Sequence, residues 1–390
     1  MRQDRIMRIL AIVGTRPEAI KMTPVIQELR ARPGDIETFV CSTGQHREML
    51  NQVFELFHIR PDFELNLMEY DQTPSQVAAG VMAAIDPLLA DLKPDWVLVQ
   101  GDTTTVMAAS IAAFHRKVRI GHVEAGLRTY DRDNPFPEEM NRVVTDHVCD
   151  KHFAPTAAAK ANLLREGISP EGIYITGNTV IDALLWTASQ PVSPAVEAEL
   201  KSYHLSERVR PGAQSLILVT AHRRENHGEP LAQICQALRR IAETRPDLHI
   251  VYPVHRNPNV WEPVHARLSG IPGITLTPPV GYPTLVQLMK HSKLVLTDSG
   301  GIQEEAPSLG VPVIVLRKTT ERPEAVKAGI VKMGGTDAKN LLSLVDELLD
   351  RPEVYERMAQ AINPYGDGQA ARRTADALIL GRCDEFNYKA

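Results

Sequence analysis

Cysteine, aromatic side chains, one-sign charge and long apolar runs are all scarce in this 390-residue chain. The four cysteines, Cys41, Cys149, Cys235 and Cys383, lie far apart, so no pair has the spacing of a zinc site. A chain of this length also needs no disulfide staples, and a reducing, cytoplasmic setting is expected. Aromatic residues make up 5% against 43% hydrophobic overall, which predicts cores packed from aliphatic side chains. The net charge is −5 and there is no long basic run, so the basic stripe that a nucleic-acid partner requires is missing. No apolar stretch is read as approaching the roughly 18–20 residues that span a bilayer, and no membrane insertion is expected. Near the start, Arg2 and Arg5 precede a short apolar run. Thr15-Arg16-Pro17-Glu18 then stands where a signal peptide would have a small-residue cleavage site.

What the chain has is rhythm. Short apolar runs alternate with longer amphipathic ones, the pattern of parallel sheets covered by helices. Strands are predicted at 7–13, 37–42, 96–100, 118–123 and 152–154, and again at 216–220, 248–253, 273–276, 293–297 and 312–316. Helices are predicted at 18–30, 74–91, 231–242 and 284–290. A polar stretch at 190–212, carrying Pro191, Pro194 and Pro211, interrupts the series, and a domain boundary is placed a little before or within it. The expectation is an α/β protein of two doubly wound domains of similar size with a cleft between them, binding ligands beyond the carboxyl ends of the strands.

Several motifs could carry chemistry. Thr297-Asp298-Ser299-Gly300-Gly301-Ile302-Gln303-Glu304-Glu305 runs from a strand end into a helix start. Two glycines there let the backbone approach a diphosphate, and the free N–H groups favour an anion. Glu305 is placed to accept from ribose hydroxyls. The alternative is a turn with an Asp or Ser cap. Arg16-Pro17-Glu18-Ala19-Ile20-Lys21 is echoed by Arg322-Pro323-Glu324-Ala325-Val326-Lys327, each with an Arg beside a helix start that suits an anion. Asp102 and Glu124 follow strand ends in Gly101-Asp102-Thr103-Thr104 and His122-Val123-Glu124-Ala125-Gly126, and Glu138 sits in Pro137-Glu138-Glu139. Acids sharing one site can hold different protonation states, as acid–base chemistry requires. Asp102 could instead be an N-cap, and Glu138 a first-turn glutamate. His222, in Thr220-Ala221-His222-Arg223-Arg224-Glu225, stands at a strand end with two arginines behind it, an arrangement suited to phosphate. No metal-ligand spacing is recognisable. No Gly-x-Gly-x-x-Gly follows the first strand, so no nicotinamide site is expected.

Taken together, these motifs resemble the non-hydrolysing UDP-N-acetylglucosamine 2-epimerases. The ordered set also includes Gln45-His46-Arg47-Glu48-Met49-Leu50, Gly126-Leu127-Arg128-Thr129, Asn141-Arg142, Thr176-Gly177-Asn178-Thr179 and Asn363-Pro364-Tyr365-Gly366-Asp367-Gly368, and covers nearly the whole chain. The resemblance implies the GT-B architecture: Rossmann-like domains at 1–180 and 181–369, with a last helix at about 370–390 packing back on the first. It implies inversion at sugar C2, interconverting UDP-N-acetylglucosamine and UDP-N-acetylmannosamine through 2-acetamidoglucal, without a cofactor, to supply surface polysaccharide synthesis. Asp102, Glu124, Glu138 and His222 would be catalytic. Arg16, Lys21, Arg142, Ser299, Gly300, Gly301, Glu305 and Arg322 would bind the UDP-sugar. Gln45, His46, Arg223 and His255 would line a second, activating UDP-N-acetylglucosamine site. The family is typically homodimeric. The rival readings are a GT-B glycosyltransferase, a hydrolysing epimerase, and a UDP-sugar sensor that has lost its acids; the last does not fit three acids in place.

Overall fold

Strand β1, Met7–Val13, is fully buried over its last five residues. A run apolar on both faces must be covered on both, which only the middle of a helix-flanked parallel sheet provides. In the computed structural model, which describes residues 6–32, 34, 36–44, 47–67, 71–206 and 215–388, β1 is central to a seven-stranded sheet. Its companions are β2 (Ile36–Ser42), β3 (Phe63–Glu64), β4 (Trp96–Gln100), β5 (Arg119–Val123), β6 (Lys151–Ala154) and β7 (Ile173–Ile175). They lie in the order β3-β2-β1-β4-β5-β6-β7, with every pair parallel. The order reverses between β1 and β4, and the loops at their carboxyl ends form the ligand crevice of such a sheet.

The second sheet repeats the plan with β8 (Ser215–Thr220), β9 (Leu248–Pro253), β10 (Ile274–Thr277), β11 (Ser292–Thr297), β12 (Val313–Val315) and β13 (Val331–Met333). Its order is β10-β9-β8-β11-β12-β13, again all parallel, so its reversal falls between β8 and β11. Each sheet is therefore a doubly wound, Rossmann-like unit, as expected. Three strands not anticipated from the sequence, β3, β7 and β13, are all sheet edges of two or three residues. So few residues carry no readable alternation.

The chain divides into one unit of Met1–Ala183 with Tyr365–Asn387, and a second of Leu184–Pro364. The late helix Ala370–Leu380 is tied into the first unit at its start. The backbone N–H groups of Ala370 and Ala371 donate to Asp182 at 3.2 and 2.8 Å. Burial pushes the Asp182 carboxyl up to about 6 against these hydrogen bonds. Further along, Asp376 pairs with Arg32 at 2.9 Å.

One expectation needs correction. The helix Pro74–Leu92 is, by length and composition, apolar enough to cross a membrane. Alanines, Gly80, Asp86 and Asp91 are interspersed among its leucines, isoleucine and valines, so no dense apolar run announced it. Its Val81, Ile85 and Leu89 row is buried in the first unit's core, and its Asp86 pairs with Arg116. It covers the sheet as an ordinary flanking helix does.

Candidate active site

In the first unit the reversal point gathers the acids. β5 ends at Val123, and Glu124 follows in a left-handed conformation, φ 67°. Its N–H bonds to the Phe153 carbonyl, turning the side chain out of the sheet at the strand end. The carboxylate is 8% exposed and almost fully engaged. Oε1 accepts from Lys21 Nζ at 2.6 Å and Asn178 Nδ2 at 3.0 Å; Oε2 accepts from Lys21 Nζ at 2.7 Å and from Gln100 Nε2. A carboxylate offers about four lone-pair sites, and all four are occupied. Lys21 comes from the helix Arg16–Arg30, Gln100 from the end of β4, and Asn178 from the loop after β7.

Asp102 is not a helix cap. Thr103 takes that place, accepting from the Val106 N–H, and Asp102 projects from the turn after β4. One of its oxygens accepts from Arg142 Nη2, and Asn141 Nδ2 donates to its carbonyl at 3.0 Å. Oδ1 has no partner among the described residues. Arg142 lies on the helix Glu138–Val148, and its other Nη donates to Glu139 at 3.2 Å. Glu139, 2% exposed, also accepts the N–H groups of Thr129 and Tyr130 and so pins the loop ahead of the helix. Glu138 is the first residue of that helix, half-buried, with no hydrogen bond or ion pair among the described residues.

Arg16 opens its helix as expected, but the neighbouring N–H groups are not open to an anion. Glu18 folds back in a capping box and accepts the N–H groups of Gly14 and Thr15 at 2.6 and 3.3 Å, while Thr15 caps Glu18. Burial raises the Glu18 carboxyl. This helix start can offer an anion the Arg16 guanidinium, but not the Gly14 and Thr15 N–H groups.

The second unit is different. Ser299 occupies the N-cap position of the helix Gly300–Ser308 without a side-chain cap. The N–H groups of Gly300, Gly301 and Ile302 have no acceptor among the described residues, which leaves a helix start open to phosphate. A side chain at Gly300 would come within 3.6 Å of Arg322 Nη2, so that guanidinium lies over the turn, held by Glu304. Glu305 is buried and accepts from the Tyr282 hydroxyl at 3.2 Å. Asp298, fully buried, ties the two strand ends together: its Oδ2 accepts the N–H groups of His222 and Arg223 and the amide of Asn226 at 2.8, 2.8 and 2.9 Å. Its Oδ1 lies 3.4 Å from His222 Nδ1. Burial lowers the His222 pKa; Asp298 opposes this, and Arg223 and His255 add to it. The His255 ring stacks on His222 with centroids 5.5 Å apart. Gln45 and His46 lie outside the described residues.

Gln100, Tyr282 and Asn178 received no role from the sequence, and Asp298 only the alternative one of a helix cap. Gln100 was legible in principle, as a polar residue closing an otherwise apolar strand. The other three act only through neighbours that folding brings to them.

Two Rossmann-like units, with an acid cluster at one reversal point and an open Gly-Gly helix start at the other, place the chain among GT-B-type enzymes. The family model for UDP-N-acetylglucosamine 2-epimerase matches residues 27–379. The UDP-N-acetylglucosamine 2-epimerases of Salmonella typhimurium and Escherichia coli K12 are each 50% identical, covering 95% and 96% of this chain and 98% and 99% of their own. The crystal structure of the Neisseria meningitidis UDP-GlcNAc 2-epimerase bound to UDP-GlcNAc is 46% identical with a TM-score of 0.83, covering 96% of this chain and all of that one. This chain belongs to the UDP-N-acetylglucosamine 2-epimerase family, and it is an isomerase.

Proposed function

We propose that this chain inverts C2 of UDP-N-acetylglucosamine to give UDP-N-acetylmannosamine, and the reverse, with each residue's part set by its hydrogen bonding. The saturated Glu124 carboxylate beside a partly unoccupied Asp102 carries the reading. Asp102 Oδ1 takes the C2 proton, the C2–H electron pair forms the C1–C2 double bond, and the C1–O bond breaks with its electrons going to UDP. UDP then re-adds at C1 while a proton returns to the opposite face of C2, so no net redox change occurs. Glu124, with no lone pair to spare, serves as a fixed negative charge facing the electron-poor C1. Glu138, at a helix start and without a partner among the described residues, is suited to proton return. In the second unit the Gly300–Gly301 N–H groups and Arg322 receive the diphosphate, Glu305 the ribose, and His222 the charge growing on the leaving UDP. Arg16 contributes a guanidinium.

Incubation with UDP-N-acetylglucosamine in deuterated water, without acceptor, tests this by NMR. The expected product is UDP-N-acetylmannosamine deuterated at C2 with UDP retained. Free UDP as the main product, or no deuterium at C2, would overturn it.

The active form is a homodimer. The support is Phe114, 58% exposed on the helix Thr104–His115, together with the exposed Ala79, Ala83 and Pro87 of the adjacent helix Pro74–Leu92. Sedimentation should return twice the chain mass, and Phe114→Asp should shift it toward the single chain. A single-chain mass for the unaltered protein excludes the dimer.

A further inference from the structure

Beneath the two catalytic turns of the first unit lies a buried polar network that the proposed chemistry does not itself use. Its centre is His122 on β5, 1% exposed. Both ring nitrogens face acceptors: Nδ1 is 2.6 Å from Asp146 Oδ1, and Nε2 is 2.7 Å from the Gly101 carbonyl. A carbonyl only accepts, so Nε2 carries a proton and donates to Gly101. Gly101 has φ 84° and is the residue at which the chain leaves β4 and delivers Asp102. The Asp102 carbonyl is held from the other side by Asn141, so His122 and Asn141 between them grip both peptide groups of this turn.

The other end of the network reaches the Glu124 turn. Asp146 Oδ2 accepts the Gly126 N–H at 3.2 Å and Arg128 Nη2 at 2.8 Å. Gly126 has φ 84°, and a side chain there would come within 2.4 Å of the Ala159 carbonyl, so this turn after Glu124 has one conformation. Arg128, its side chain fully buried, is held in turn by Glu166 through a two-pronged contact at 2.8 and 2.6 Å. Burial pushes the Asp146 carboxyl up, but His122 and Arg128 outweigh it and hold it at about 2. One ionised carboxylate therefore joins the turn that carries Glu124 to the ring that grips the turn carrying Asp102. A buried ionic network is a poor source of stability compared with apolar packing, since each charge must first be stripped of water. Here its polar atoms end on the two turns where placement matters most.

We propose that His122 is a positioning residue for the epimerisation: clamped by Asp146, its ring fixes the Gly101 carbonyl and so sets Asp102 relative to Glu124. This rests on the assignment of Asp102 and Glu124 to the reaction.

Two conservative variants separate the contacts. His122→Gln places an amide N–H near the Nε2 position and keeps the grip on Gly101. His122→Asn places one near Nδ1, keeping Asp146 and releasing Gly101. Misplacement of a reacting group by about 1 Å costs up to about 100-fold, so His122→Asn should lose about 10–100-fold in kcat, with KM within about threefold. His122→Gln should recover most of that loss. Equal kcat in the two variants, whether normal or low, overturns the proposal, because a merely structural ring would not distinguish the contacts. If the variants fail to fold, the unaltered protein labelled with nitrogen-15 in histidine decides. A slowly exchanging Nε2–H on His122 is expected, and an unprotonated Nε2 overturns the proposal. An active Asp102→Asn would instead sink the assignment on which it rests. An inactive Asp102→Asn beside a normal His122→Asn would sink the positioning role alone.

Discussion

Glu124→Gln is expected to lower kcat by about 10²–10³-fold, the range seen when a preorganised electrostatic partner of a transition state is removed. The geometry makes this substitution harsher than its isosteric shape suggests. Every lone pair of the carboxylate receives a donor, two of them from Lys21 and one each from Asn178 and Gln100. A glutamine presents an N–H₂ group where two of those donors point, so at least one buried donor loses its acceptor at a cost of about 1–3 kcal/mol. Lys21 also keeps its charge without the partner that neutralised it, next to a sugar carbon that must become electron-poor. A second variant distinguishes charge from scaffolding. If the Lys21–Glu124 pair served only to hold the loop together, Lys21→Met combined with Glu124→Gln would remove the mismatch and restore activity. The expectation is that the double variant regains melting temperature and remains at least about 100-fold slow. Steady-state rates and thermal melts of the three proteins check it, and a single Glu124→Gln variant within tenfold of the unaltered rate would remove Glu124 from the reaction.

The features legible in the sequence are those that a short stretch of chain determines by itself. The apolar runs that became β1, β4, β8 and β11 were readable because a strand buried on both faces has no polar positions to confuse the pattern. From that rhythm the doubly wound class followed, and with it the rule that strand ends carry the site. Asp102, Glu124 and His222 were found by applying that rule to residues standing at such ends. What was not legible depends on partners distant in the chain. Arg16 beside Pro17 and Glu18 is the exception: Thr15-Arg16-Pro17-Glu18 has the capping-box spacing that announces the return of Glu18 to the Gly14 and Thr15 N–H groups, and the anion reading passed over it. The same hexapeptide at Arg322 opens a helix of only five residues, with the guanidinium carried to the Gly300 turn by Glu304. Two near-identical words thus take opposite meanings, and the residue ahead of each differs: Thr15 completes a capping box at the first, whereas Glu321 stands before the second, which has no side-chain cap. Asp298 does depend on distant partners: offered by the sequence as the alternative cap of its own helix, it instead serves the loop after the neighbouring strand.

Asp102→Asn is the variant that should separate proton abstraction from substrate binding. Asp102 differs from Glu124 in one decisive respect: one oxygen is engaged by Arg142, and Oδ1 has no partner among the described residues and remains open to a proton. An asparagine preserves the volume and can still offer its carbonyl oxygen to Arg142, so the turn and the binding surface should survive. The amide cannot accept a proton at C2, however, and loss of a positioned base costs about 10²–10⁴-fold. Epimerisation and deuterium uptake at C2 should therefore fall together by that factor, with UDP-sugar affinity changed by less than about threefold, within the scatter of one lost surface contact. The coupling of the two rates is the informative result. If deuterium still enters C2 at the unaltered rate while epimerisation stops, Asp102 acts after proton removal, and the base must be sought at Glu138, the other carboxylate here without a partner among the described residues. If both rates fall and affinity falls with them, the Arg142 pair was holding the substrate site rather than the proton. The geometry favours loss of both rates with affinity kept, because the Arg142 side of Asp102 is buttressed independently by Glu139, which pins the same helix to the Thr129 and Tyr130 backbone whatever stands at position 102.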